Sequence, residues 1–432
     1  MSAQELVACV AGQEMGRVRQ NPHGRLQFSY SESWRESLRA YPLSLSMPVQ
    51  TAPHGHGKIE AFLWGLLPDN TSILQSWGRR FQVSARNAFA LISHVGEDCA
   101  GAVQFVRPER LQALQPGQRS QIEWLSERDI GERLRTLRTD HAAWRTAGDA
   151  GQFSLAGAQP KTALLFERGR WGVPSGRSPT THILKPPNTQ FDGFPENEHI
   201  CLHLGRAMGL PTAESRIMQF DGEIAIVLTR YDRVHTSTGW IRVHQEDFCQ
   251  ALGVAPTRKY QNDGGPGARA IIDLLRTYSS AAPQDEATFI DALALNWLIA
   301  GTDAHAKNFS ILISEAEQIR LAPLYDVASI LPYAQLDLSR AKLAMKVADE
   351  YRIQKIGAHE WRKFAAEFKL NPDMLVGKIT AMAQAIPDSL ADIVRHSREN
   401  GLQHTVIDRL MKRLLARARL CSKQLSATAD SQ

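Results

Sequence analysis

Apolar and polar positions alternate in short runs along the first hundred residues. VACVAG, RVRQ and RLQFSYS are separated by glycine-rich and Asn-Pro turns, which predicts a small antiparallel sheet. Helical spacing follows near 71–80 and 84–95, and GAVQFV returns to a strand pattern. RPERLQALQPGQRSQ, rich in Pro, Gln and Arg, reads as a surface connection. Beyond it, Ser126 and Asp129 have capping-box spacing for a helix reaching about residue 140. TALLFERGRWGV predicts two strands turning at Arg168-Gly169, THILK a short strand and ENEHICLHLGRAMG a helix. AESRIMQF and EIAIVLTRYDR form a hairpin across Asp221-Gly222. From about residue 244 the period becomes helical in QEDFCQAL, ARAIIDLLRTY, TFIDALALNWLIAG, EWRKFAAEF and a basic amphipathic segment around 405–421. NFSILI and IRLAPLYDV interrupt it as a small hairpin, and SATADSQ reads as a frayed tail. The expected division is 1–108, 109–240 and 241–432.

Composition narrows the picture modestly. A chain of 432 residues, 43% hydrophobic and 22% charged without long charge blocks, is expected to fold into two or three globular domains. A net charge of +5 permits phosphate-bearing partners such as nucleotides, tRNA or DNA without demanding them. Cys9, Cys99, Cys201, Cys249 and Cys421 are odd in number and never in CxxC spacing. They point to reduced thiols and away from a disulfide frame or zinc knuckle. No run of 18 apolar residues occurs, and the first residues lack a basic leader, so the expectation is a soluble, cytoplasmic chain with no membrane partner.

The chemistry concentrates in WLIAGTDAHAKNFS. Asp303 and Asn308 are five positions apart, the spacing with which a phosphotransferase loop places a base and a metal ligand on one turn. Hard Mg2+ prefers oxygen ligands, and Asp326 in LAPLYDVAS supplies a second one. Lys185 closes the strand THILK where a kinase places its phosphate lysine, and Glu198 in the next helix is its expected partner. SLAGAQ offers small residues at Ala156, Gly157 and Ala158 that would let backbone N–H groups approach phosphates. A surface turn ending a helix would explain Asp303 and Asn308 alone. The order Lys, Glu, Asp, Asn, Asp along the chain is what favours chemistry.

Three other signals are weighed against this. GPGARA at 265–270 matches a dinucleotide fingerprint but follows polar KYQNDG instead of a strand, which favours a helix-capping loop. His199 and His203 share a helix face without the glutamate of a zinc protease motif, leaving a metal-dependent hydrolase on His199, His203 and Asp303 as a minor reading. His305 is expected to support the catalytic loop structurally.

Taken together, SLAGAQ with KTALL, THILKPP, NEHICL, RYDR, QEDFCQ, KYQNDGGPG, WLIAGTDAHAKNFS, LYDV and KLAMK resemble the HipA-type serine/threonine kinase toxins of bacterial toxin-antitoxin modules. GLLPDN and GEDCAGAVQF resemble that family's N-terminal subdomain. The resemblance implies an α+β, two-lobed protein-kinase-like fold with a small N-terminal α+β subdomain, a nucleotide-binding lobe over 109–240 and a mainly helical C-terminal lobe. It implies ATP and Mg2+ as cofactors, Asp303 as the catalytic base, Asn308 and Asp326 as metal ligands, and Lys185 on the nucleotide phosphates. Ala156, Gly157, Ala158 and Gln159 become the phosphate loop, Thr229 to Tyr231 the adenine-contacting hinge, and Ser154 an autophosphorylation site. The implied partners are a small helix-turn-helix antitoxin, DNA mainly through that antitoxin, and a protein substrate of the aminoacyl-tRNA synthetase kind. Thr229 stands where many members carry Glu, Pro160 replaces a frequent Glu and Ala304 a frequent Gly. These departures keep open an alternative, a catalytically silent pseudokinase that acts with the antitoxin in transcriptional autoregulation.

Overall fold

The computed structural model describes residues 4–115, 121–140, 153–188, 190–237, 239–315 and 318–426. Two units emerge from it. The first comprises Met1–Asn188, Met218–Arg258 and Ser310–Ala322, the second Thr189–Ile217, Lys259–Phe309 and Pro323–Gln432. The end of SATADSQ and part of the 107–121 connection lie outside the described residues.

The first unit opens with a four-stranded antiparallel sheet ordered Leu26–Tyr30, Gln13–Gln20, Gln4–Val10, Gln104–Val106. Asn70 and Asn87 cap the helices Thr71–Phe81 and Ala88–Val95 by accepting backbone N–H bonds, so the second helix begins at 88, later than its apolar pattern predicts. Helix His56–Gly65 is not foreseen by the sequence reading. It starts at Gly55 without a side-chain cap and buries Ile59, Ala61, Phe62 and Leu63 on more than one side.

A second sheet runs Ile122–Leu125, Arg170–Pro174, Thr162–Glu167, His182–Lys185, Glu223–Thr229, Ser215–Phe220. Helix Glu127–Thr139, with the predicted Ser126/Asp129 capping box, lays Ile130 and Leu134 onto Leu164, Trp171, Val173, Leu184, Phe220 and Val227. Asp221 and Gly222 both have positive φ (47° and 84°), as a tight primed turn matching strand twist requires.

A third sheet corrects one expectation. QEDFCQAL is not one helix: His244–Asp247 is a strand paired with Ser310–Ser314, and only Phe248–Ala251 coils. Asp247 caps that single turn, and the strand wins because it buries His244 and Glu246 beside an apolar partner. Gln318–Leu321 completes the sheet, as the predicted hairpin requires.

The second unit is built from helices Phe194–Ala207, Ala268–Tyr278, Ala282–Ile299, Ala358–Glu367, Pro372–Glu399 and Thr405–Ser426. Its core centres on Trp297, fully buried, whose Nε1–H donates to Ile353 O at 3.0 Å while Arg417 donates to Trp297 O at 3.0 Å. No helix among the described residues is long and apolar enough to cross a membrane.

Candidate active site

The greasy helix Ala282–Ile299 ends by a specific device. Ala300 takes the left-handed conformation (φ 54°), and Gly301 N–H turns back to Asn296 O at 2.7 Å. A Cβ at Gly301 would collide with Asn296 Oδ1, so glycine is required here by close approach. The chain then leaves the core abruptly and presents the polar run.

Asp303 is 68% exposed at its side chain and accepts a hydrogen bond from the Tyr260 hydroxyl at 2.5 Å. Its main-chain oxygen accepts from His305 N–H at 2.8 Å and from Asn308 Nδ2 at 2.7 Å, which folds 303–308 into one turn. Asn308 thereby commits its amide N–H and keeps Oδ1 as an acceptor. His305 is buried against the Tyr260 ring at 4.9 Å, edge to face, with Nε2 3.8 Å from Asp303 Oδ1.

The segment carrying Asp326 is stitched to this turn. Tyr325 donates its hydroxyl to Lys307 O at 2.8 Å, and Ser329 Oγ–H caps Ile299 O at 2.6 Å. Asn197 donates to Ser329 O at 2.7 Å and accepts from Ser329 N–H at 3.2 Å, fixing the far side. Asp326 itself has φ 54°, an uncommon conformation for a non-glycine residue, maintained because both flanks are bonded down. The structure thus draws Asp303, Asn308 and Asp326 into two cross-linked loops of the second unit. An amide oxygen and a carboxylate are a donor set that suits Mg2+, which commonly takes one or two protein oxygens and fills the rest from water and phosphate.

The small-residue loop belongs to the first unit. Ser154 is fully buried: its N–H donates to Asp98 O at 3.1 Å and its hydroxyl to Leu66 O at 2.7 Å. Gly157 O accepts from Asp69 N–H at 3.2 Å, and Lys161 Nζ donates to Ala156 O at 2.6 Å. Gly157 has φ 98°, a backbone conformation that favours glycine, and Lys161 Nζ packs where a Cβ would stand. Ala158 is exposed, while Ala156 and Gln159 are half-buried. Lys185 is 4% exposed, opposite Ile226 in the ladder. Glu198, fully buried in Phe194–Ala207, belongs to the second unit. Thr229 pairs with His182 at the end of its strand, and Tyr231 follows, half-buried.

Behind that loop sits a buried ionic hub. Asp98 Oδ1 accepts from Arg233 at 2.9 Å and Arg242 at 3.1 Å, and Oδ2 accepts from Thr180 N–H at 2.9 Å and Thr180 Oγ1 at 2.7 Å. Asp232 pairs with Arg230 at 2.9 Å and Arg233 at 2.8 Å. Burial alone would raise the Asp98 carboxyl, but Arg233, Arg242 and Arg230 outweigh it and hold it well below the usual carboxylate range. Burial depresses Arg233 to about 10, still charged at neutral pH.

The weaker sequence signals resolve simply. Gly267 is the N-cap of helix Ala268–Tyr278 after a short turn at Gln261–Asp263, so GPGARA is a capping loop. The His199 and His203 rings lie 4.3 Å apart, tilted by 54°. Burial and the second imidazole push His199 down to about 3, and its Nδ1 pairs with Ser215 Oγ at 2.9 Å. Among the described residues no three His, Cys, Asp or Glu side chains cluster as a metal site. Tyr260, Lys161 and Asp98 escaped the sequence reading as site residues. KYQNDGGPG, FSLAGAQPK and GEDCAGAVQF contain them, but no spacing rule ties them to Asp303 or to the loop.

A turn that holds an Asp–Asn pair, a strained Asp downstream and a lysine ending a strand define the architecture of the kinase-like class. Matches to known proteins specify it further. Residues 6–106 match the HipA N-terminal domain and 153–390 the HipA-like C-terminal domain. The chain belongs to the HipA family. Y4mE of Sinorhizobium fredii is 34% identical over 413 residues, spanning 95% of this chain and 96% of that one. The serine/threonine-protein kinase toxin HipA of Shewanella oneidensis is 28% identical over 382 residues, spanning 84% and 83%. The solved complex of Shewanella oneidensis HipA, HipB and operator DNA contains a chain that aligns with TM-score 0.83 and 25% identity, covering 99% of this chain and all of that one. The fold is therefore the α+β, kinase-like fold of that toxin family.

Proposed function

We propose that this chain is an ATP- and Mg2+-dependent serine/threonine protein kinase, the toxin of a bacterial toxin-antitoxin module, that silences itself by phosphorylating Ser154. The observation that carries the reading is the stitching of the Asp303–Asn308 turn to the Asp326 segment through Tyr325, Lys307 and Ser329. A phosphoryl transfer asks the protein chiefly for positioning and charge stabilisation, and these bonds supply positioning.

In this reading Asp303 accepts the proton of the substrate hydroxyl, oriented by the Tyr260 hydrogen bond. Asn308 and Asp326 hold Mg2+, whose charge offsets that of the nucleotide phosphates. Lys185 contacts those phosphates. Ala156 to Gln159 cradle the phosphates with backbone N–H groups, and Thr229 to Tyr231 receive the adenine through the main chain. The division into a subdomain over 1–108, a nucleotide-binding lobe over 109–240 and a helical lobe over 241–432 follows the same assignment.

Ser154 adds the regulation. Its hydroxyl is fully buried on Leu66 O, so it reacts only after the loop leaves its seat. A phosphate there, carrying about −1.5 to −2 charge, cannot return to a buried site and repels the nucleotide. The proposed partners are a small helix-turn-helix antitoxin, the operator DNA through it, and a translation-related protein substrate such as an aminoacyl-tRNA synthetase. Incubation of the purified protein with Mg-ATP and cell lysate, followed by phosphosite mapping, tests activity, Ser154 modification and the substrate together. Phosphate on Ser154 and on a lysate serine or threonine is expected. Failure to bind Mg-ATP by calorimetry would leave the silent binding module instead.

A further inference from the structure

We infer that Asp98 is a positioning residue for the nucleotide phosphates: it anchors the phosphate loop from the N-terminal subdomain and ties it to the hinge through one buried carboxylate. The inference rests on the reading of residues 154–159 as the phosphate-receiving loop.

The geometry is specific. Residues 153–157 run alongside two segments of the N-terminal subdomain, with parallel bridges from Phe153 to Asp98 and from Gly157 to Pro68. Ser154 N–H bonds to Asp98 O, Ser154 Oγ to Leu66 O, and Gly157 O to Asp69 N–H. A loop held by so few bonds is only as well placed as the segments that hold it. Segment 98–101 is immobilised from the opposite side. Arg230 and Arg233 donate to Cys99 O at 2.9 and 2.8 Å, Arg233 donates to Gly101 O at 2.9 Å, and Asp232 accepts from Gly101 N–H at 2.8 Å. Those three side chains flank Tyr231 in the hinge segment, and Arg230 N–H is itself fixed on Thr181 O at 2.9 Å.

Asp98 is where the two halves join. Its main chain meets Ser154, while its carboxylate binds Thr180, Arg233 and Arg242. Neutralising it leaves three guanidiniums sharing one remaining carboxylate and the carbonyls of Cys99, Gly101, Asp232 and Arg177, so the 98–101 segment must shift. The nearest dependants are Ser154 N–H and the loop behind it. Phosphate-bearing ligands should feel this shift and adenosine should not, whereas a merely structural defect would weaken all of them alike.

The test is calorimetry of the full chain with Mg-ATP, Mg-ADP and adenosine in wild type, Asp98→Asn and Thr180→Val, with hydrogen exchange over residues 153–161 in nucleotide-free protein. Asp98→Asn is expected to weaken ATP and ADP by about tenfold or more and adenosine by less than about twofold, as loss of preorganisation predicts. Exchange at 153–157 should accelerate while Thr162–Glu167 stays protected. Thr180→Val removes the hydroxyl's bonds to Asp98 and from Arg230 but no charge, so it should fold even where Asp98→Asn does not, giving the same signature at about threefold. Equal loss for all three ligands, or unchanged binding with unchanged exchange, would overturn the inference. Wild type that binds no nucleotide would instead sink the kinase reading, and the exchange experiment would still decide whether Asp98 holds the loop.

Discussion

The proposed catalytic turn and the proposed phosphate loop solve the same problem in opposite ways. Residues 301–308 are held largely by neighbours: a left-handed helix exit, a turn closed on Asp303 O, and a short tie to the Asp326 segment. Residues 153–157 are held by bonds to segments 56 to 88 positions earlier, backed by five buried or nearly buried charges. The first arrangement separates chemistry from stability. The second makes them share residues.

The sharpest way to break the comparison is Arg233→Ala. Its side chain is fully buried and bonded to Asp98, Asp232, Cys99 O and Gly101 O, so removing it breaks two buried ion pairs and strips buried acceptors of donors, which should cost about 3–5 kcal/mol. Denaturant unfolding would measure it, and a loss below about 1 kcal/mol would contradict the hub. Asp303→Asn and Asp326→Asn should do the reverse, leaving unfolding midpoints within error while lowering phosphotransfer by about 100-fold or more. Wild-type transfer of labelled γ-phosphate in either variant would refute their proposed roles.

Acid sharpens the contrast at a middling scale. Burial pushes His244 down to about 4 while Leu43 O pulls the other way, and its Nδ1 accepts from Ala102 N–H at 3.4 Å. Between pH 6.5 and about 4 the unfolded chain takes up a proton that the folded ring refuses, so stability falls as pH drops, by up to about 1.4 kcal/mol per pH unit. Glu246, pushed up to about 8 by burial, acts in the opposite sense: its contribution falls as pH rises toward 8. Comparing wild type with His244→Gln isolates the histidine, since the variant's slope between pH 6.5 and 5 should be shallower by about one proton. The smallest effect belongs to Ser154→Ala, which loses one buried hydrogen bond worth about 1 kcal/mol. It should lower the melting temperature by a few degrees and abolish self-labelling if Ser154 is the modified residue.

This difference also governs what could be read from the letters. Local devices were legible: the Ser126 capping box, the Asp221-Gly222 turn, and an Asp–Asn turn issuing from an apolar helix. Non-local ones were not. Tyr260 lies 43 residues from Asp303, and nothing in KYQND announces that its hydroxyl will reach that carboxylate. Asp98 looks like a polar residue in a turn until the fold brings Arg233 and Arg242 onto it. Helix Pro372–Glu399 was hidden by Pro372, Gly377 and Pro387, although Asn371 caps its start and Leu375, Ile379, Ile386 and Leu390 keep its inner face continuous. Strand Ile122–Leu125 escaped because it is a short edge strand following a polar connection.

All five cysteines are interior and outside any disulfide, with Cys9, Cys99 and Cys249 in the first unit and Cys201 and Cys421 in the second. Burial lifts Cys9, Cys99 and Cys201 to about 12 and Cys421 to about 11, so the thiolate is scarce while the fold stays shut. An alkylating reagent therefore has little to attack until a unit breathes open, and the position labelled first would tell which half of the molecule opens more readily.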